Sequence, residues 1–260
     1  MLKEILYKIV NLFTFGKGLQ KLFNNQYKVR LPTRYINYFP ENYEEENFKF
    51  LNQVCKPGAV IIDIGAHIGL FSVIASKITG AKGKVYAFEP SPTTYNILQN
   101  TIRLNIAGDT VETFQKAVSS TAGTTKFYIS DDVVDNSNSL VSYLEDRELK
   151  GIDITLTTVD DFVKEKKITQ LNFIKIDVEG VELDTLRGAE NTFKILRPYC
   201  MVGIHPAGIK AKGDKLEDIY NFIQQCRYKV ILENVILTKE KFLANTSLID
   251  LHLYPLENAE

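Results

Sequence analysis

The feature that most constrains this chain is the short run Ala59 to Ile64 (AVIIDI), nearly all apolar and framed by Pro57-Gly58 and Gly65. A strand so brief and so apolar is buried on both faces, the situation of a strand inside a parallel sheet covered by helices. The pattern then repeats. Leu70 to Ile78 reads as a helix ended by Gly80 and Lys82-Gly83, and Lys84 to Phe88 (KVYAF) as a second strand stopped by Glu89-Pro90. Ser91-Pro92 supplies an N-cap followed by proline at the first helical position, and Tyr95, Leu98 and Ile102 continue that helix. A third strand is expected over Val111 to Val118, and Thr125 to Ile129 and Ile154 to Val159 are β-prone. Between them, Ser130 to Gly151 reads as a polar surface loop. Leu171 to Val178 is a further buried strand, followed by a helix over Val181 to Lys194 and a strand over Tyr199 to Ile204. Leu216, Ile219, Tyr220 and Ile223 mark another amphipathic helix.

Strands alternating with helices imply a doubly wound α/β sheet. The last two β segments, Lys229 to Glu233 and Leu248 to Leu253, have no helical pattern between them and imply an antiparallel hairpin at one edge. In the last segment His252 alternates toward solvent, as in a strand with one face buried. Two regions are expected: an N-terminal extension over residues 1–50, read as a helical cap, and the α/β domain over residues 51–260. In the extension, Leu2, Ile5, Leu6, Ile9 and Phe13 recur at helical spacing, while Lys3, Glu4 and Lys8 interrupt any membrane-spanning stretch. Such a helix docks either on its own domain or, through residues 1–24, on a membrane surface or partner.

Composition excludes some functions. The 31 basic and 32 acidic residues leave a net charge of −1, with no basic block to hold a nucleic-acid backbone. Cys55, Cys200 and Cys226 form no CxxC pair, so a disulfide framework and a zinc–cysteine site are poorly supported, and a reducing cytoplasm is expected.

In a doubly wound sheet the ligand lies beyond the carboxyl ends of the strands. The loop after the first of them is Asp63-Ile64-Gly65-Ala66-His67-Ile68-Gly69, where Gly65 and Gly69 permit a sharp turn. A dinucleotide fingerprint would need glycine where Asp63 and Ile68 stand. A negative side chain suits a ligand with a cationic end better than a pyrophosphate. Glu89, at the end of the second strand, can accept hydrogen bonds from both hydroxyls of a ribose. Backbone groups of Lys116-Ala117-Val118 are placed to flank an adenine ring, with Ala117 at the centre.

The segments VIIDIGAHIGLFS (60–72), VYAFEPSP (85–92), TTVDDF (157–162), FIKIDVEGVELDTLRGA (173–189) and IHP (204–206) resemble the FkbM family of methyltransferases from about Pro57 to Pro206. The KIDVEG segment and the RGA that follows it are the most specific part. The resemblance implies a class I, Rossmann-like methyltransferase fold, S-adenosylmethionine as cofactor and a hydroxyl oxygen as acceptor, on a sugar, glycan or secondary metabolite. It places Asp63, Gly65 and Glu89 at the cofactor, and the same loop and wall add Ala66, His67, Gly69 and Ala117. Two positions depart from the family pattern: His67 stands where asparagine is usual, and Gly203 where many members carry glutamate.

Methyl transfer from a sulfonium needs in-line placement and, for a hydroxyl acceptor, removal of a proton. The catalytic candidates are Asp177, Glu179 and His205, at neighbouring strand ends, with helix capping as the competing role for the two acids. No metal site is expected, because two carboxylates alone are a thin ligand set. Asp131, Asp132, Asp135, Asn136 and Asn138 also fail the EF-hand spacing. The competing functions are a cofactor-binding fold without turnover and, more remotely, a nicotinamide-dependent oxidoreductase.

Overall fold

The structure is a computed structural model and describes residue 7, residues 10–129 and residues 150–256. Residues 10–13 are helical, but the rest of the expected N-terminal helix lies outside the described residues, as do residues 130–149 of the polar loop with its aspartates. The helical reading of the extension gives way to a hairpin of β1 (Leu19–Phe23) and β2 (Tyr27–Leu31), then a 3-10 turn at Thr33–Tyr35. The alternation of Tyr27, Val29 and Leu31 with exposed or half-exposed residues is the period of two that a one-sided hairpin requires.

The domain that follows is laid down in alternation. Its elements are α1 (Glu45–Val54), β3 (Val60–Ile64), α2 (Leu70–Thr79), β4 (Lys84–Phe88), α3 (Pro92–Leu104) and β5 (Val111–Phe114). Then come β6 (Ala117–Val118), β7 (Gly123–Ile129), β8 (Lys150–Thr157), α4 (Val159–Glu165), β9 (Phe173–Ile176), α5 (Glu182–Arg187) and α6 (Glu190–Ile195). The chain finishes with β10 (Tyr199–Ile204), α7 (Pro206–Lys212), α8 (Leu216–Gln225), β11 (Tyr228–Leu232), β12 (Val235–Ile236), α9 (Lys239–Leu243) and β13 (Ile249–Pro255). The main sheet runs β12-β11-β13-β10-β9-β3-β4-β5. The five strands from β10 to β5 are parallel, and β13 lies antiparallel between β10 and β11. Apolar side chains fill both faces. The hairpin and α1–α3 cover one, centred on Ile61, Phe71 and Phe173, while α4–α8 cover the other, centred on Ile62, Ile174 and Val202.

Several expectations need correction. The third strand is not continuous from Val111 to Val118: its second half leaves the main sheet as β6 and pairs with β8 in a small sheet ordered β6-β8-β7. The helix expected over Val181 to Lys194 breaks at Gly188-Ala189 into α5 and α6. A short helix, α9, capped by the Thr238 hydroxyl, sits between the last strands. His252 is not solvated. It is buried, stacks on Phe50 at 4.2 Å and meets Asn47 Oδ1 through Nε2 at 2.9 Å, because α1 covers that face of β13. All three cysteines are free and buried. Among the described residues no helix is long and apolar enough to cross a membrane.

The RGA glycine now has a physical reason. A Cβ on Gly188 would stand 2.0 Å from the Ser119 carbonyl oxygen, where the α5–α6 break presses on the strand end leading out of β6. Gly188→Ala is therefore expected to destabilise the fold by about 1–3 kcal/mol, the usual cost of overpacking, read as a lower midpoint in urea unfolding.

Candidate active site

The parallel register builds the site in rows. Asp63 on β3 lies beside Lys175 on β9, Lys175 beside Met201 on β10, and Met201 beside His252 on β13. One step toward the carboxyl ends, Gly203 lies opposite Asp250, with Asp177 just beyond β9 on the same face. These strand ends open into a cleft. Its walls include Gly65, Ala66, His67, Glu89, Ala117, Asp177 and Glu179 from the sequence-based set, joined by Lys175 and by Tyr43 and Glu44 of the extension.

Lys175 is 4% exposed. Its ammonium donates to the Gly65 carbonyl and to Asp177 Oδ2, each at 3.1 Å, and lies 3.7 Å from Asp63 Oδ1. Burial opposes its charge, but the Asp177 and Asp63 carboxylates outweigh burial and hold its pKa above the ordinary lysine value. Asp177 is half-buried, its side chain 32% exposed; desolvation opposes its charge, yet Lys175 and then His205 hold its pKa below the usual range.

Asp63 does not face the cleft as expected. It is fully buried, accepts a 2.5 Å hydrogen bond from Ser72 Oγ, and its cationic neighbour is Lys175. Burial pushes its pKa up. Gly69 is also set back from the cleft. Its φ is +89°, and a Cβ there would meet Leu98 Cδ1 at 2.6 Å, so its smallness lets α2 pack on α3.

The glycine loop is held from the other side by the end of β4. The Gly65 and Ala66 amides both donate to the Phe88 carbonyl, and Glu89 takes the His67 amide on one oxygen and the Ser91 amide on the other. Burial pushes the Glu89 carboxyl up to about 7 against those two amides. His67 adopts a left-handed φ of 50° and packs beside Tyr38 and Phe39. Burial, then Lys175, lowers its pKa to about 4, so the ring is neutral, and its buried Nε2 has no hydrogen-bond partner among the described residues.

At the far wall the loop after β9 and the end of β10 bring Asp177, Glu179 and His205 together. His205 Nε2 is 3.5 Å from Asp177 Oδ1 and 3.5 Å from Glu179 Oε2. Glu179 has a left-handed φ of 54°, and burial lifts its pKa to about 7. The N-cap of α5 is Val181, with no side-chain cap hydrogen bond. His205 itself stands behind the cleft wall, hydrogen-bonded through Nδ1 to the fully buried Glu182. Lys175, Glu182, Tyr43 and Glu44 were missed in the sequence. The signal for the first was a lysine inside the otherwise apolar FIKI strand; the others gave none.

The sequence pattern of the methyltransferase FkbM domain matches residues 63–230. A hexuronic acid methyltransferase of Haloferax volcanii is 31% identical over 65% of this chain and 65% of its own length. A methyltransferase of Sordaria araneosa is 28% identical over 60% of this chain and 70% of its own. A 31-O-demethyl-FK506 methyltransferase of Streptomyces tacrolimicus is 26% identical over 52% and 61%. The chain thus spans about two thirds of these relatives. Among solved structures, a methyltransferase of Methylobacillus flagellatus shares the fold with a TM-score of 0.50 at 18% identity, over 79% of this chain and half of that one.

Removing one partner of a buried ion pair leaves the other charge stranded. Lys175→Met is expected to cost about 3–5 kcal/mol in urea unfolding. Adding Asp63→Asn should restore part of that loss, and a double variant less stable than Lys175→Met would refute the coupling.

Proposed function

The chain belongs to the FkbM family of methyltransferases, and from that premise we propose that it takes its methyl group from S-adenosylmethionine in this cleft and delivers it to a hydroxyl of a sugar, glycan or secondary metabolite. The observation that carries the reading is Glu89. A buried carboxylate on the cleft wall, its two oxygens each bound to one backbone amide, keeps lone pairs for the two hydroxyls of a ribose. Phe88, Ala117, Val118 and Phe127 supply an apolar wall suited to a purine. Asp177 and Glu179 on the opposite wall suit a cationic ligand end. The residues present therefore fit the cofactor that the family implies.

When bound, S-adenosylmethionine supplies an activated methyl group. The protein's part is to hold that group in line with the acceptor, which accounts for much of the acceleration in such transfers. Glu89 and the loop Gly65–Gly69 fix one end of the cleft. Asp177 and Glu179, backed by His205, meet the acceptor hydroxyl at the other and assist the loss of its proton. Tyr43 and Glu44 of the extension complete the acceptor side. The 31-O-demethyl-FK506 relative supports an oxygen acceptor, and the hexuronic acid relative a sugar-derived one. Asp63 acts in this reading as a positioning residue, through Lys175 and the loop.

Calorimetric titration should show saturable binding of S-adenosylmethionine and none of NAD, and the opposite result would sink the reading. Glu89→Gln removes a charged acceptor of two hydroxyl hydrogen bonds and should weaken the cofactor at least tenfold. The ribose favours ionised Glu89, whose pKa is about 7, so below that pH binding must first release a proton. Affinity should therefore rise between pH 6 and 8 in the native chain, and this component of the rise should vanish in Glu89→Gln.

A further inference from the structure

Two carboxylates two residues apart are a poor ligand set, but the fold adds a nitrogen to them. Asp177, Glu179 and His205 each present a donor atom, all within 4.8 Å of one another. The His205 ring is held for this purpose by a residue outside the trio. Glu182, fully buried, binds Nδ1 at 2.6 Å and is itself fixed by the Gly180 amide at 3.0 Å. When a cation displaces the proton from Nε2, Nδ1 keeps its hydrogen on that carboxylate and the Nε2 lone pair is turned toward Asp177 and Glu179. Histidines that bind metal are usually oriented in this way, by a carboxylate on the other ring nitrogen.

The spacing points the same way. The 3.5 Å gaps from Nε2 to Asp177 Oδ1 and Glu179 Oε2 exceed good hydrogen bonds, whose N–O distance is about 2.7–3.2 Å. Two bonds of about 2.0–2.1 Å meeting at a tetrahedral angle place their donor atoms about 3.4 Å apart. Gly203 keeps the neighbouring space clear, since even a Cβ there would lie 3.2 Å from Asp177 Oδ1 and 3.3 Å from His205 Cε1. Lys175 is occupied on the other oxygen of Asp177, leaving Oδ1 to face His205.

We propose that Asp177, Glu179 and His205 form a three-ligand site for a divalent cation of the zinc type, with Glu182 as positioning residue and one coordination position open toward the cleft. One nitrogen and two carboxylate oxygens with an open fourth place are the pattern of a catalytic rather than a structural site. The cation's role rests on the methyl-transfer reading. The acceptor hydroxyl would occupy the open position, and its proton would leave to solvent water. The oxygen would then bond to the methyl carbon as the carbon–sulfur bond breaks, with its electron pair left on sulfur.

The test is calorimetric titration of the chelator-stripped full chain with Zn2+, alongside S-adenosylmethionine titration of the same samples. One ion per chain is expected, with affinity lost at least 100-fold in His205→Asn and tenfold to 100-fold in Glu182→Gln. Glu179→Gln, on a side chain 24% exposed, replaces His205→Asn if circular dichroism shows that variant unfolded. Absence of saturable Zn2+ binding, or binding unchanged in these variants, overturns the site. Zn2+ uptake without cofactor binding would instead leave the site standing and overturn the donor assignment.

Discussion

The arrangement of this molecule hangs on one buried ammonium. Lys175 sits in β9, an interior strand of the parallel set, where water cannot solvate its charge, and its partners come from three places: β3, the glycine loop and the turn after β9. Coulomb attraction in a poorly screened interior is strong, but so is the cost of leaving any member unpaired. The ion therefore specifies position more than it adds stability. The Gly65 carbonyl can approach it because Gly65 has no side chain; a Cβ there would stand 1.9 Å from the Asp177 carbonyl oxygen. The loop and the acidic wall are set by the same contact.

The backbone bears a cost at the cleft. His67, Glu179 and Glu44 all line it, and all three are non-glycine residues in the left-handed region, with φ of 50°, 54° and 46°. Such conformations persist where surrounding contacts fix them. For His67 the fixing contact is its amide hydrogen bond to Glu89. For Glu179 it is the adjoining Gly180, whose position over Gly208 leaves only 2.6 Å for a Cβ. The last glycine of KIDVEG thus brings the β9 turn against α7, and with it Glu179 toward His205.

Much of this was legible in the sequence, for identifiable reasons. Strands of β3, β4, β9 and β10 are short apolar runs between turn residues, and local pattern determines them. Gly65, Glu89, Asp177 and Glu179 follow once the strand ends are known, because a parallel sheet exposes its ligand site there. What failed depended on long-range pairing. Nothing local says that Ala117–Val118 should leave the main sheet for β8, or that α1 should cover His252. The direction of Asp63 was misread for the same reason. Its charge suggested a cationic ligand, but the cation is Lys175, over a hundred positions along the chain and adjacent only through the β3–β9 register. Tyr43 and Glu44 enter the cleft by the docking of the extension, which no motif encodes.

The resemblance to the family reads Gly203 as a glycine in place of the glutamate that many members carry. The register changes that meaning. Asp250 of the antiparallel strand lies opposite Gly203, and its Oδ1 is 3.4 Å from where a Cβ on residue 203 would stand. Its other oxygen accepts from Asn47 of α1 at 2.8 Å. A carboxylate is thus present at this point of the strand ends although the side chain of residue 203 is gone, and it reaches there from the neighbouring strand. A glutamate at 203 would crowd Asp177 and His205 and set a further negative charge beside Asp250, where like charges in contact are costly. Glycine at 203 and aspartate at 250 are compatible with each other in a way that glutamate and aspartate at those positions would not be. The carboxylate at this point of the sheet comes from Asp250, one strand over.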